Sequence, residues 1–369
     1  MSTQKHELDW LDGLKGICAF IIAFVWHFRH FKKPPEAPFS QIFPLMYAKG
    51  MYIVELFFVL SGFGMMLGYG KRIVNREIGF GSYFKRRVSK LYPLFLLTTL
   101  LVVIFEAIIF RKCGTYFVYE NYDLYHLLLN LLLLQNGALE TVWSLNSPSW
   151  VISICILLYI LFYFVCYVSR KPVNVFYTFG VVALLGALIL LSKENRPLIN
   201  VLVGRGLTCF SIGVILNGLY VHRNTYNAQL LGYIALVFVL VFYVLMRTEH
   251  TEYVGDYQMI IALGIAPMIL FSVFSLGWLQ KEMSFKPFVF LGHISIGIYL
   301  IHFPVQCIIR IISLYTSGIN YASKLFWICY MLSVVGLAAL YNYVVKNIYE
   351  PWLIGLIAKK RPGPRSTIL

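Results

Sequence analysis

The sequence predicts an all-α membrane protein with about ten transmembrane helices and one short re-entrant or interfacial helix. Of its 369 residues, 59% are apolar and only 13% are charged, whereas a soluble domain has roughly 45–50% apolar and 25% charged residues. Ten apolar stretches are long enough to cross a bilayer, which takes about 20 residues. We therefore expect residues 1–369 to form a single membrane-embedded domain, with a core at about 9–352 and a short cytoplasmic tail at 353–369.

The apolar stretches follow one another with short polar connections. In chain order the predicted spans are 14–31, 50–70, 92–110, 149–169, 174–192, 199–220, 229–247, 257–279, 289–313 and 323–346. Between the third and fourth spans, residues 122–136 are apolar over only about twelve positions, which is too short for a span. We expect this segment to form the re-entrant or interfacial helix.

The distribution of positive charge supports the count of ten. When residues near the ends of spans are counted with the adjoining segment, 19 of the 31 Lys and Arg residues fall inside and ten outside, while Arg205 and Arg310 lie within spans. Positive residues accumulate in cytoplasmic loops, so we expect both termini to be cytoplasmic and the protein to lie in the plasma (inner) membrane. The net charge of +15 is then a property of membrane loops, and no nucleic-acid partner is expected.

Two histidines interrupt apolar runs. His27 lies near the end of the first span, in FVWHF, and His302 lies inside the ninth, in YLIHFP. Each residue is open to two interpretations: a packing histidine bonded to a neighbouring helix, or a functional group, because polar residues at membrane depth often mark sites. Neutral imidazole is suited to act as a general base near pH 7. No metal is expected, since neither histidine has a carboxylate or cysteine at ligand spacing.

A basic stretch precedes the third span. Residues 85–90 include Arg86, Arg87 and Lys90 together with Lys85. The orientation signal and anionic lipid headgroups explain such a cluster, and so does a site for a cytosolic polyanion, because Arg pairs phosphate through two parallel hydrogen bonds. The sequence leaves both explanations open.

Three further charged groups lie at membrane depth. Arg205 is costly inside a span, so we expect it to face a polar cavity or an acidic partner. Glu55 and Glu106 are each neutral, paired with Arg205 or Arg310, or part of a site. The residues alone do not choose among these states.

Six blocks in order give the sequence a resemblance to a known family. They are LDGLKGICAFIIAFVWHF, ELFFVLSGFGMM, YFKRRVSKLYPLFLL, NSPSWVISICILLYILFYF, LGHISIGIYLIHFPV and YEPW, spread over about residues 9–352. Together they resemble the acyltransferase 3 family, whose members are integral membrane proteins that transfer acyl groups, most often acetyl, to hydroxyls of cell-surface glycans.

The resemblance assigns roles to single positions. His27 matches the histidine regarded as catalytic, and His302 matches the histidine of the Tyr-Leu-x-His segment. The other matched positions are Lys15, Ser61, Arg86, Arg87, Lys90, Trp150 and Glu350. The basic residues are associated with the acyl donor, and Glu350 is the glutamate before the terminal proline.

Three departures from the family pattern stand out. Lys15 replaces an arginine, which loses the bidentate fork. Eleven residues separate Lys15 from His27 where ten are usual, so the pair is rotated by about 100° on a regular helix unless a bulge absorbs the extra residue. Cys155 stands where many members have a glutamate, although other members lack that acid.

The resemblance implies an O-acyltransferase that uses cytosolic acyl-CoA, with acetyl-CoA expected as the donor substrate, and a glycan acceptor in a lipid bilayer. His27 would act as general base or acyl carrier, and His302, Ser61 or Arg205 would orient substrate or stabilise the oxyanion. Lys15 would support the site from a distance.

Two other classes of protein remain open. A multi-span transporter or flippase of a glycan or another anionic substrate also has many spans and buried charges, but we find no internal repeat of the kind such folds carry. A catalytically silent membrane partner is consistent with the departures at Lys15 and Cys155.

Overall fold

The computed structural model describes residues 8–169, 171–248 and 257–349. Ten of its helices are long and apolar enough to cross a membrane, which confirms the predicted fold class. In chain order they are α1 (Asp9–His30), α2 (Pro44–Val74), α3 (Phe80–Cys113), α4 (Ser147–Val168), α5 (Pro172–Ser192), α6 (Val201–Val221), α7 (Ala228–Arg247), α8 (Tyr257–Ser275), α9 (Ser295–Tyr315) and α10 (Lys324–Asn347).

Several short elements connect these helices. They are the helices Leu124–Leu131, Gly277–Met283 and Lys286–His293, and the two-residue antiparallel strands Asn195–Arg196 and Ile199–Asn200. The predicted re-entrant or interfacial helix at 122–136 is thus eight residues long. Asp123 caps it by accepting a hydrogen bond from the His126 N–H at 2.9 Å, and the left-handed backbone of Leu133 (φ 59°) follows its end.

Two predicted boundaries differ from the structure. The third span begins at Phe80 rather than at residue 92, so Arg86, Arg87 and Lys90 lie on α3 itself and not in a loop before it. The predicted ninth span, 289–313, crosses a break at Ile294, where the chain passes from the helix Lys286–His293 to α9. Apolar length alone locates neither boundary. The first turns of α3 are helical but charged, and the break at Ile294 lies within an apolar stretch.

The centre of the bundle is made of α1, α2 and α6. In their most apolar stretches 67% of residues are buried inside the protein, against 17% in α7 and α10. The helix α6 packs between α2 and α5, while α9 packs against α3 and α10. Helices α7 and α10 therefore lie at the outside of the bundle, where a lipid-facing helix needs no buried face.

Glycines bring α2 and α6 into close contact. A Cβ atom at Gly62 would lie 1.9 Å from the Phe210 carbonyl oxygen, and one at Gly213 would lie 2.0 Å from the Val59 carbonyl oxygen. Small residues allow such backbone approach between membrane helices. The contact holds the two helices that carry Glu55 and Arg205 at a fixed distance.

The connections give the bundle two ends. We call the end where α1 begins and where α2 connects to α3 the proximal face, and the end where α1 finishes and α3 finishes the distal face. Proximal contacts join Asp12 to Gly292 and Gly13 to Met283, whereas distal contacts join Phe31 to Tyr321. Arg87 therefore lies toward the proximal face and His27 toward the distal face.

Candidate active site

His27 and His302 form a direct imidazole pair. The Nδ1 atom of His27 lies 2.8 Å from Nε2 of His302, and the two rings are stacked with centroids 4.8 Å apart. His302 is fully buried on α9. In a neutral pair one ring donates this hydrogen bond and the other accepts it, which leaves Nε2 of His27 for a substrate.

A second layer of side chains holds this pair. His30 places Nδ1 2.8 Å from Oε1 of Gln306, and the Gln306 amide donates to the His27 carbonyl oxygen at 3.0 Å and contacts the Tyr330 hydroxyl at 3.1 Å. Gln306 is fully buried. Helices α1, α9 and α10 are thereby tied together at the imidazole pair.

A π-helical segment, Ile21–Trp26, interrupts α1 before His27. Such a segment adds one residue to a helix and is frequent at functional sites. Two of its carbonyl groups bond to α10: Trp327 donates to the Phe24 oxygen at 2.7 Å, and Tyr330 donates to the Ala23 oxygen at 3.1 Å. The tertiary contacts therefore satisfy backbone groups that a wider turn leaves poorly bonded.

The π segment lies between Lys15 and His27, and it is the kind of bulge that would absorb the extra residue implied by the family resemblance. On an uninterrupted helix the additional residue would turn His27 by about 100° away from α9. Lys15 itself lies near the proximal face, about 18 Å along the axis from His27, and its Nζ is 3.0 Å from Asp12 Oδ1. The structure does not bring Lys15 into contact with the imidazole pair.

His27 lines a cavity of about 690 Å³ that opens toward the distal face. Its other polar and aromatic lining residues are Trp26, Arg29, His30, Lys33, Phe117, Tyr119, Trp143, Trp150, Arg205, Gln258 and Tyr299. This volume is in the range of small-molecule sites. The cavity thus places an imidazole nitrogen, aromatic faces and cations around one space.

Arg205 is held rigidly at the wall of this cavity. Its Nε and Nη2 atoms donate to the two oxygens of Glu55 at 2.7 and 2.8 Å, and Nη2 also donates to the Met51 carbonyl oxygen at 3.0 Å. The guanidinium lies 5.3 Å from the ring centroid of Trp150. The structure therefore settles the partner of Glu55, which the sequence left open, and the bidentate pair orients Arg205 and Trp150 together.

Glu106 has a different environment from Glu55. It is fully buried, and its Oε2 atom accepts from the Phe117 N–H at 3.0 Å. Neither Arg205 nor Arg310 is its partner in the described part of the chain. Its position fixes the connection after α3, whose Phe117 and Tyr119 line the cavity.

A smaller cavity, of about 60 Å³, lies on the proximal side of the first. Cys155, Tyr159 and Ser295 line it, while Ile22 and Tyr299 line both cavities. Tyr159 follows Trp150 by nine residues on α4, about 14 Å along the helix axis. The two spaces are therefore arranged in line from the distal face toward the proximal face, with Ile22 and Tyr299 between them.

Arg87 and Ser61 both lie beside Tyr159, toward the proximal end of this line. The Arg87 guanidinium lies 4.3 Å from the Tyr69 ring centroid and 5.6 Å from that of Tyr159. The Ser61 hydroxyl is 3.2 Å from the Tyr159 hydroxyl. Arg86 and Lys90 are exposed on the same helix.

The predicted site residues thus fall into three groups. His27, Trp150 and Arg205 line the large cavity, with His302 behind His27, while Ser61 and Arg87 lie beside Tyr159 of the small one. Arg86, Lys90 and Lys15 lie nearer the proximal surface. Glu350 and the tail at 353–369 lie outside the described residues.

Sequence reasoning missed His30 and Gln306, although a signal for both exists. His30 follows His27 by three residues and Gln306 follows His302 by four, so each shares a helical face with the histidine already identified. Arg29 and Tyr159 were also missed. Their role depends on which helices are neighbours, and the spacing within one helix carries no such information.

Comparison with known proteins places the chain in a family. The sequence profile of a family described as an acyltransferase domain matches residues 8–343. A curated relative from Rhizobium radiobacter, named "Protein 2 in picA locus", is 32% identical over 92 residues, which is 25% of this chain and 42% of that relative. No solved structure matches the chain significantly. Because the matched profile covers nearly the whole chain, the protein belongs to the acyltransferase 3 family of membrane acyltransferases.

Proposed function

We propose that this protein transfers an acyl group, with acetyl as the expected group, from cytosolic acyl-CoA to a hydroxyl of a cell-surface or exported glycan. The observation that carries the proposal is the His27–His302 pair at the wall of a cavity large enough for a sugar. The matched family supports the acyl-transfer chemistry. In this proposal the protein lies in the plasma membrane with its proximal face and both termini in the cytoplasm.

His27 is the general base of the proposed reaction. With Nδ1 engaged by His302, Nε2 takes the proton from the glycan hydroxyl as its oxygen attacks the thioester carbonyl carbon. The C–S bond then breaks, and the protonated imidazole returns the proton to the departing CoA thiolate. The products are the O-acyl ester and CoA thiol, and His27 is restored.

The acyl donor enters from the proximal end in this proposal. CoA carries several phosphate charges, and Arg86, Arg87 and Lys90 provide positive charge on the first turns of α3. Bidentate Arg–phosphate pairs are strong and oriented. The small cavity beside Tyr159 lies between Arg87 and the large cavity, which supports a path for the thioester toward His27.

His27→Ala tests the chemistry. With the full-length protein purified in detergent, radiolabelled acetyl-CoA and candidate glycans, we expect acyl transfer by the variant to fall by about 10²–10⁴-fold, because a positioned base contributes that much. His222→Ala is the matched control, since His222 is exposed at the end of α6. Full transfer by His27→Ala would reject the assigned base.

The same assay addresses the donor site and the transport alternative. Arg87→Gln should raise the apparent KM for acetyl-CoA while leaving the KM for the glycan unchanged. Movement of glycan across a membrane without consumption of acetyl-CoA would instead favour a transporter or flippase.

A further inference from the structure

The distal mouth of the large cavity carries positive charge that the protein does not neutralise. Arg29 and Lys33 both line the cavity, and neither has an ion pair within the described residues. Arg205 differs, because Glu55 neutralises it. No aspartate or glutamate among the described residues lines this cavity.

A neighbouring cavity of about 330 Å³ also has an unpaired cation in its lining, within the described residues. His30 and Phe117 line both spaces, so the two cavities adjoin each other along the distal face. Arg310 lines it without an ion pair in the described part of the chain, and its aromatic wall includes Tyr321. The Tyr321 hydroxyl is buried and has no hydrogen-bond partner among the described residues.

Aromatic rings accompany the cations. Arg29 lies 4.0 Å from the ring centroid of Trp26, and Trp143 and Tyr119 line the same cavity. Aromatic faces pack against the C–H faces of sugar rings, and flat stacked guanidinium groups present N–H donors sideways to a carboxylate or phosphate. The aromatic rings and the cations together are therefore suited to an acidic sugar.

We infer that the ligand of these two adjoining cavities, which is the acceptor in the proposed function, is an acidic oligosaccharide whose carboxylate or phosphate groups bind Arg29, Lys33 and Arg310. Arg29 and Arg310 are partly buried, and a partly buried cation that lacks a counter-ion is unfavourable until a ligand supplies one. Lys33 is exposed and adds its charge to the field at the mouth of the cavity. A neutral glycan would leave the three charges uncompensated, whereas an acidic chain compensates them and is drawn to the distal face by the same field. This inference rests on the proposed function for the nature of the reaction, but its test needs binding alone.

The test measures binding to full-length His27→Ala protein, in which no acyl transfer removes the ligand. The probe is an oligouronide, compared with the same oligouronide after its carboxylates are converted to methyl esters. Trp26, Trp143 and Trp150 line the cavity, so their fluorescence reports occupancy. We expect the acid to bind at least tenfold more tightly than the ester, with a difference that shrinks at high salt.

Charge-removing substitutions locate the binding groups. In the His27→Ala background, Arg29→Gln, Lys33→Gln and Arg310→Gln should each raise Kd for the acid about tenfold and leave Kd for the ester unchanged, as expected for loss of a charge-assisted hydrogen bond. Lys32→Gln is the matched control: it removes a positive charge from the same loop, but Lys32 is paired with Glu36 and does not line either cavity.

A second arm uses a glycosyl phosphate and its neutral sugar, and a preference for the phosphate that these substitutions abolish also supports the inference. Equal binding of acid and neutral forms in both arms, or equal effects of the cavity substitutions and Lys32→Gln, would overturn it. If acids bind but wild-type protein never acylates them, the proposed function fails while this inference stands.

Discussion

At the scale of single residues, the centre of the candidate site is the His27 imidazole, whose Nδ1 atom is hydrogen-bonded to His302. Helix α9 supplies His302 and Gln306, and these two side chains fix the ring and the backbone of His27. A base that is held by a partner spends less of its time in unproductive rotamers, which is how supporting residues increase a rate. In the proposed reaction His302 is thus a positioning residue for His27.

His302→Ala should lower kcat by about 5–150-fold, because a lost buried hydrogen bond of about 1–3 kcal/mol acts on the orientation of the base. KM for either substrate should change little, since His302 does not line the large cavity. His302→Gln retains a polar partner and should recover part of kcat. Steady-state kinetics of the two variants give the check, and equal loss in both, with KM raised, would indicate a merely structural role.

At the scale of helices, the geometry depends on how closely α2 approaches α6. Arg205 on α6 reaches both oxygens of Glu55 on α2, and this reach requires the backbone contact at Gly62 and Gly213. A buried ion pair tolerates little displacement, because a separated charge at membrane depth is strongly unfavourable.

Gly62→Ala should therefore destabilise the protein, because its new Cβ would lie 1.9 Å from the Phe210 carbonyl oxygen. Gly64→Ala is the matched control two residues further along α2, where a Cβ meets nothing within 4 Å, and alanine there should stabilise the helix by about 0.5–1 kcal/mol. Thermal unfolding in detergent, followed by aggregation of the purified variants, compares the two. A Gly62→Ala protein as stable as Gly64→Ala would contradict the close contact.

The helices were predictable from the sequence, while their packing was not. Apolar length identified all ten spans, because a bilayer imposes one minimum length on every helix. The same length argument missed the start of α3 at Phe80, since its charged turns carry no apolar signal. It also left Glu55 without a chosen partner, because Arg205 lies 150 residues away in the chain and only the fold brings the two together.

At the scale of the whole molecule, the proposed reaction gives its two substrates separate entrances. The basic turns of α3 and the small cavity lie on the proximal side, while the large cavity and its cations open on the distal side. Arg87 is thus near the proximal end of the two cavities and His27 near the distal end. Ile22 and Tyr299 lie between the two cavities.

Proteoliposomes test this arrangement. With acetyl-CoA present only on one side and a glycan only on the other, acylated glycan should appear in vesicles whose protein has its proximal face toward the acetyl-CoA. Vesicles given both substrates on the distal side alone should give no product, because the acyl donor then has no access to Arg87. Mass spectrometry of the glycan reads the result, with His27→Ala protein as the blank, and product formed equally from the distal side alone would contradict separate entrances.

The π segment of α1 has a consequence for the history of the chain. An inserted residue in a regular helix rotates every later side chain by about 100° around the helix axis, as far as the end of the helix. Here the insertion is contained between Ile21 and Trp26, so the contacts of Asp12 with Gly292 before it and of His27 with His302 after it are both in place. A change of one residue in the length of this segment can therefore be absorbed locally, provided that its carbonyl groups still reach Trp327 and Tyr330, and we expect length variation among relatives to concentrate there.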